Sequence, residues 1–286
     1  MSAAARKWGP VHSIPLSVLT WNINFRSAAT LDPIAALPSL PDLVALQEVK
    51  LDHAKAVHDR LKGMGYTSVY SQGRDAAKLS YSNMIAARTK LTSFEPIAVD
   101  FPYPQLVAHV SVETPGGPVN VITVHVPNGS GYGWEKIDTL EALKRMVLGL
   151  RGEPLVLTGD FNEPQYAMQD GQVVTWGQDP DGERWAVSDE WTFDGATGTG
   201  ERWDAAVRWF FESPGESGIR SAFWDAAGHG EMEASHFSRG GKRWFDHVFV
   251  SGDFQVNDCR YLHDFREDEY SDHSALIAEL SYAPGQ

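Results

Sequence analysis

Two short segments, Gly159-Asp160-Phe161-Asn162-Glu163 and Ser271-Asp272-His273-Ser274, each set an acidic residue beside a second polar group where an apolar run ends. Carboxylates and amides bind hard cations, orient water and hold phosphate oxygens. In the first segment Gly159 lets the backbone come close. The two-residue spacing puts Asp160 and Asn162 on one side. Asp160 can then orient an attacking water or take its proton, with the Asn162 amide on a phosphate oxygen. A turn-forming Asp-Phe-Asn is the alternative. In the second segment His273 can pair with the carboxylate that opens Asp246-His247-Val248-Phe249-Val250. Such a pair raises the imidazole pKa and fixes its orientation. A cationic His273 would stabilise charge on a pentavalent phosphate and leave Asp272 to approach a metal.

Three more segments carry polar groups at strand ends. In Thr20-Trp21-Asn22-Ile23-Asn24 the two amides alternate with apolar residues and share a face; turn hydrogen bonding would also explain them. In Leu46-Gln47-Glu48-Val49 the carboxylate follows an apolar strand and suits Mg2+. Placed at a helix start, it would instead interact with the helix dipole. In Val124-His125-Val126-Pro127-Asn128-Gly129 the histidine ends a strand and Asn128 lies in the turn beyond. A lone strand histidine is more often simply packed and hydrogen-bonded.

The elements that must position these groups are legible from patterning. Apolar runs recur at Leu16–Ile23, Leu43–Leu46, Met84–Ala87, Leu106–Val112, Val119–Val126, Leu155–Leu157, Phe245–Val250 and Ala275–Leu280. Several are nearly continuous and β-branched, as in strands buried on both faces. Ala54, Val57 and Leu61 share a helical face that Asp52 could cap and Gly63 could end. Ile137, Leu140, Leu143, Met146, Val147 and Leu150 make a longer helical stripe. The short link Glu113–Pro118 predicts a hairpin, so at least one sheet is partly antiparallel. The fold class is mixed α/β with helices covering sheets. Residues 164–218, rich in Trp, Asp and Gly, are predicted to be an elaborated loop region over the site, with one helix near Asp204–Phe211.

With 286 residues the chain can bury a large core, and it carries a formal net charge of −14. That balance disfavours tight sequence-independent clamping of long duplex DNA, although a local basic strip is compatible with it. Residues 1–14 are expected to be a tail without a secretory signal. No apolar run approaches the roughly 20 residues of a membrane span. The single cysteine, Cys259, fits a reducing compartment, so a cytoplasmic protein is expected.

Jointly and in this order, these motifs resemble the endonuclease/exonuclease/phosphatase superfamily. The resemblance runs from Leu19 to Leu280, is strongest at Thr20–Asn24, Gln47-Glu48, Gly159–Asn162, Phe245–Ser251 and Ser271–His273, and is absent from about 164–218. It implies a four-layer α/β sandwich, two mostly antiparallel or mixed β-sheets packed face to face with helices on the outer faces. It implies one catalytic domain over 15–286, with an insertion at about 164–218. Glu48 would be the principal metal ligand, with Asn22, Asn24 and Asp272 near the metal. The metal would be Mg2+, with Mn2+ as substitute. Asp160 and Asn162 would handle water and phosphate, and Asp246 and His273 the scissile phosphate.

His125 matches the deoxyribonuclease I, deadenylase and phosphatase branches, where exonuclease III-like enzymes tend to have Tyr. The following Val126-Pro127-Asn128-Gly129 and Glu135-Lys136 look like the exonuclease III branch, with Asn128 as a substrate contact. The expected activity is a Mg2+-dependent phosphodiester hydrolase, a DNA nuclease of the exonuclease III kind. Trp244 and Phe237 are expected to stack on substrate, and Arg239, Lys242 and Arg243 to meet a phosphate backbone. The alternative is a hydrolase of nucleotide, sugar or lipid-linked phosphoesters, supported by the acidic charge, His125 and the long insertion. A third reading, an inactive binding module, conflicts with the retained Glu48, Asp160, Asn162, Asp246 and His273. A monomer is expected.

Overall fold

The structure, a computed structural model, describes residues 13–70, 79–94, 98–182, 184–230, 232–238 and 241–284. The expected tail at 1–14 therefore falls almost wholly outside the described residues, as does Arg239.

The first half of the chain forms β1 (Ile14–Asn22), β2 (Leu43–Lys50), β3 (Thr67–Tyr70), β4 (Tyr81–Ala87), β5 (Leu91–Ser93), β6 (Val107–Thr114), β7 (Gly117–His125) and β8 (Leu155–Asp160). Its helices are α1 (Asp32–Ala35), α2 (Leu51–Gly63), α3 (Gly129–Tyr132) and α4 (Glu135–Gly149). Among the described residues, 164–218 contain three small hairpins. They pair β9 (Tyr166–Ala167) with β10 (Val173–Val174), β11 (Gln178–Asp181) with β12 (Arg184–Val187), and β13 (Trp191–Phe193) with β14 (Ala196–Gly198). Helices α5 (Gly200–Phe211) and α6 (Pro214–Ser217) follow. The chain closes with β15 (Ile219–Ser221), α7 (Ala222–Ala227), β16 (His236–Ser238), β17 (Gly241–Arg243), β18 (Asp246–Ser251), β19 (Phe254–Leu262), α8 (Asp264–Glu267) and β20 (Ala275–Tyr282).

Two six-stranded sheets dominate, in the orders β19-β20-β1-β2-β4-β3 and β15-β18-β8-β7-β6-β5. Each holds one parallel pair at its centre, β1 with β2 and β7 with β8; every other neighbouring pair in them is antiparallel. Side chains alternate along β1: Leu16 and Val18 join the core between the sheets, whereas Leu19, Trp21 and Ile23 pack with Ala54, Val57 and Leu61 of α2 on the outer face. On the second sheet, Phe161 and Phe249 turn outward against Phe210 of α5. Helices α4, α5 and α7 join the same apolar cluster. The result is helix, sheet, sheet, helix.

Two local expectations are corrected. Lys50, not Asp52, is the N-cap of α2, and Asp52 falls in the first turn. Residues 164–218 also contain more regular structure than their composition suggested, because strands of two to four residues are too short to leave a period-two pattern.

Candidate active site

Parity decides which residues meet. Gln47 reaches across the interface, donating to Thr20 Oγ1 at 3.0 Å and to Thr123 Oγ1 on β7 at 2.8 Å. The faces of the two sheets that look at each other therefore carry Thr20 and Asn22 on β1, Thr123 and His125 on β7, and Thr158 and Asp160 on β8. The parallel pairs place the C-terminal ends of these strands at one end of the sandwich.

Asp160 is the centre. Asn22 Nδ2 donates to Asp160 Oδ2 at 2.9 Å and lies 3.1 Å from Glu48 Oε1. Its Oδ1 accepts the Asn24 backbone N–H at 3.0 Å. The expected metal-side amide of Asn22 thus offers hydrogens to two carboxylates, and its oxygen is already used. Asn24, at φ 45°, contributes this N–H; among the described residues its side chain makes no hydrogen bond to the cluster. Glu48 also breaks alternation: with φ 54° it sits in the register shift between Leu46 and Val49, which swings its carboxylate to the site. It is a strand residue, not a helix start.

Gly159 answers to close approach. With φ 136°, its added Cβ would lie 1.9 Å from the Val124 carbonyl oxygen, so only glycine lets β8 lie against β7 there. His125 is the cross-strand neighbour of Asp160, its Nε2 3.5 Å from Glu48 Oε1 and 3.8 Å from Asp160 Oδ2. Its Nδ1 is buried and, among the described residues, has no hydrogen-bond partner. Asn162 donates Nδ2 to the Val126 carbonyl at 2.9 Å and its backbone N–H to Asp160 Oδ1 at 2.8 Å.

On the other side Asp246 pairs directly with Asp160 across β18 and β8. Two carboxylates so placed repel, and His273 lies between them. Its Nδ1 is 2.8 Å from Asp246 Oδ2 and its Nε2 3.8 Å from Asp160 Oδ2. Burial pushes the His273 pKa down, but the charge and hydrogen bond of Asp246, then Asp160 and Asp272, raise it to about 10. The segment that carries His273 is tied to β1: Ser271 Oγ donates to the Asn22 carbonyl at 2.7 Å, and Trp21 Nε1 donates to the His273 carbonyl at 2.9 Å.

Asp272 groups with His236 and His273, separately from the Glu48, His125 and Asp160 group. Burial raises its pKa, but the hydrogen bond from His236 and the charges of His273 and His236 bring it down to about 2. His236 was not anticipated from sequence. Its ring centroid is 4.4 Å from that of His273 and its Nε2 3.5 Å from Asp272 Oδ2. No local pattern marks it, because its partners lie 36 and 37 positions away.

Trp244 is corrected to a core residue. It is 1% exposed, enclosed by Phe211, Phe223, Trp224 and His247, and cannot stack on a substrate. Phe237 is 51% exposed but carries the Arg266 guanidinium over its ring at 4.4 Å. Its neighbours His236 and Ser238 instead line the pocket beside the site. Asn128 lines that pocket too, while its Oδ1 caps α3 by accepting from Gly131 N at 2.7 Å. Arg243 sits over the Trp176 ring at 5.0 Å.

Beneath Asn162 lies a buried ion pair: Lys136 Nζ is 2.9 Å from Glu163 Oε1 and donates to the Asn162 carbonyl at 2.8 Å. Trp203 Nε1 also donates to Glu163 Oε1, at 2.7 Å. Burial lowers the Lys136 pKa and raises that of Glu163, with each partner opposing the shift.

The donor set of Glu48, Asp160 and His125 can converge on one cation, and its carboxylate oxygens fit a hard divalent ion. Among the described residues no helix is long and apolar enough to cross a membrane.

The profile of the Endonuclease/Exonuclease/phosphatase family matches residues 19–273. Comparison with curated proteins finds no match. Among solved structures, the Neisseria 3′ phosphatase NExo bound to a product DNA hairpin is similar at TM-score 0.64 and 23% identity, over 93% of this chain and 100% of that one. D. rerio TDP2 complexed with single-strand DNA product gives 0.63 and 15%, over 93% and 98%. An AP endonuclease from Archaeoglobus fulgidus gives 0.60 and 18%, over 92% and 98%.

Proposed function

The chain belongs to the endonuclease/exonuclease/phosphatase family, whose members are phosphoesterases, and on that premise we propose that it is a Mg2+-dependent phosphodiester hydrolase acting on DNA in the manner of exonuclease III. One observation carries the reading. Asp160 is met at once by an amide from the opposite sheet, a histidine from β7 and the cationic end of an Asp–His pair.

The chemistry divides among these groups. Asp160 accepts hydrogen bonds from Asn22 and the Asn162 backbone, which fix its carboxylate so that it can hold a water in line with the phosphorus and receive its proton. His273 stays protonated through neutral pH and presents positive charge to a non-bridging oxygen as negative charge builds in the transition state. Asp246 positions that ring and does not itself need to touch substrate. Asn162 and His125 complete the oxygen-binding wall. Glu48 and Asp160 would hold the cation, which when bound neutralises phosphate charge and stabilises the leaving oxygen.

The similarity in fold to the Neisseria phosphatase with its DNA product supports a DNA end as substrate. A second reading, a hydrolase of small nucleotide or sugar phosphoesters, is favoured by the pocket next to Asn162 and by the net charge of −14. The single cysteine, which is buried, supports a cytoplasmic setting.

The test is turnover by the purified chain with Mg2+, on 3′-recessed and abasic duplexes and on nucleotide and sugar phosphates. Duplex cleavage that disappears in Asp160→Ala supports the first reading. Turnover of small esters alone supports the second. Full activity of Asp160→Ala would overturn both.

A further inference from the structure

Residues 164–218 contribute an aromatic wall to the site. Trp176, Trp191 and Trp203 come from this region. With Phe245, His236 and Asn162 they surround a pocket of about 340 Å³. The indoles brace one another: Trp191 and Trp203 meet edge to face at 4.7 Å between centroids, and Trp134 packs against both. Such bracing favours a preformed cavity over one that opens only on demand.

Two lining residues join the pocket to the phosphate site. Asn162 Nδ2 is 3.4 Å from His125 Nε2, and the His236 ring packs tilted against that of His273, 4.4 Å between centroids. A group seated in the pocket therefore lies directly beside His125 and His273.

The chemistry of the walls narrows that group. Indole faces favour a planar ring, and nucleobases stack on aromatic side chains whatever their sequence. The volume lies at the low end of the roughly 300–1,000 Å³ usual for small-ligand sites, room for a ring and its sugar but not a stack of bases. Among the described lining residues the ammonium is that of Lys136, and Glu163 pairs with it, so that charge is not left over for a second phosphate. Asn128, Ser130 and Ser238 supply polar atoms for base edges or sugar hydroxyls.

We propose that this pocket binds a single nucleoside, its base against Trp176 and Trp191, with the phosphate esterified to it lying at His273 and Asn162. The proposal rests on the reading of the site as a phosphoesterase centre and defines its substrate as a nucleotide whose base is free of a duplex, at a strand end or in a small ester.

Tryptophan fluorescence of the intact protein tests it directly. Adenosine 5′-monophosphate and thymidine 5′-monophosphate should quench saturably at concentrations at least tenfold below those needed for ribose 5-phosphate or inorganic phosphate. Trp176→Leu should remove that preference. Ser238→Trp, a substitution on the β16–β17 hairpin that obstructs the pocket, should do the same without removing a core side chain. Equal binding of base-containing and base-free phosphates overturns the proposal, as does a folded Ser238→Trp protein that retains the preference. Turnover of bis(4-nitrophenyl) phosphate with Mg2+, measured in parallel, separates the two ideas. Turnover without base preference overturns the pocket alone, and base-dependent binding without turnover of any phosphoester overturns the hydrolase reading alone.

Discussion

Asn22 and Asp160, 138 positions apart, are joined by a 2.9 Å hydrogen bond that crosses from one β-sheet to the other. Asn22 also reaches Glu48, so one amide holds two carboxylates in place. Replacing Asn22 with Ala should lower kcat/KM or metal affinity by about 10–100-fold, the usual cost of losing a group that orients a metal ligand. Replacing it with Asp adds a third carboxylate and should lower activity at least as much. Steady-state kinetics against Mg2+ concentration, with circular dichroism as the fold check, would measure both. An Asn22→Ala enzyme with unchanged kinetics would remove Asn22 from the site.

Asp160→Ala and His273→Ala should each reduce Mg2+-dependent cleavage by about 10²–10⁴-fold, the range for a lost proton-transfer or charge-stabilising group. Single-turnover rates on a saturating substrate isolate this loss from binding. Glu48→Gln should act differently, raising the Mg2+ or Mn2+ concentration needed for half-maximal rate. A chelator should abolish activity, and added metal should restore it.

His273 also predicts a pH dependence of stability. Its unfolded pKa is about 6.5 and its folded value is raised to about 10 by Asp246 despite burial. The folded protein therefore holds a proton that the unfolded chain releases between those values. The contribution to stability is complete below pH 6.5 and is lost as pH rises toward 10. Urea midpoints should fall across that window, and Asp246→Asn should flatten the dependence.

His247 gives the opposite sign. Buried against Phe211 and Trp244, it is pushed down to about 4, with backbone hydrogen bonds opposing the shift. Its contribution is present above pH 6.5 and is lost as pH falls toward 4. Urea midpoints should decline through that acid window, and His247→Gln should flatten the decline.

The Lys136–Glu163 pair makes a stability prediction. Both side chains are buried, so removing either leaves an uncompensated charge. Lys136→Ala should cost about 3–5 kcal/mol in urea unfolding, and adding Glu163→Gln should recover part of it. Lys136 also holds the Asn162 carbonyl, so the single variant should lose activity under conditions where it remains folded.

Much of this was legible locally. The eight apolar runs predicted from patterning all appear as strands, because burial on a pleated surface is written into residue type and alternation. The hairpin after Val112 and the helices containing Val57 and Leu140 follow from equally short-range signals. Asp246 pairs with His273 as expected, because each already stood where a strand begins or ends.

What failed to show in the sequence depended on which face met which. Trp244 precedes a catalytic-type aspartate by two positions and reads as a substrate platform, yet the aromatic cluster of α5 and α7 encloses it. Asn22 reads as an oxygen donor, but its orientation is set by carboxylates from two other strands. His236 and the tryptophan-walled pocket have no short-range signature at all.

By itself, then, the chain determined its strands, its principal helices and the polar residues at their ends, since those depend on neighbours a few positions away. Only the tertiary structure decided that Asp160 would stand between Asn22 and His273. It also decided that Glu48 would turn inward at a bulge and that Trp176, Trp191 and Trp203 would line a pocket at Asn162. Those relationships join residues tens to hundreds of positions apart, and they exist only once two sheets have packed face to face.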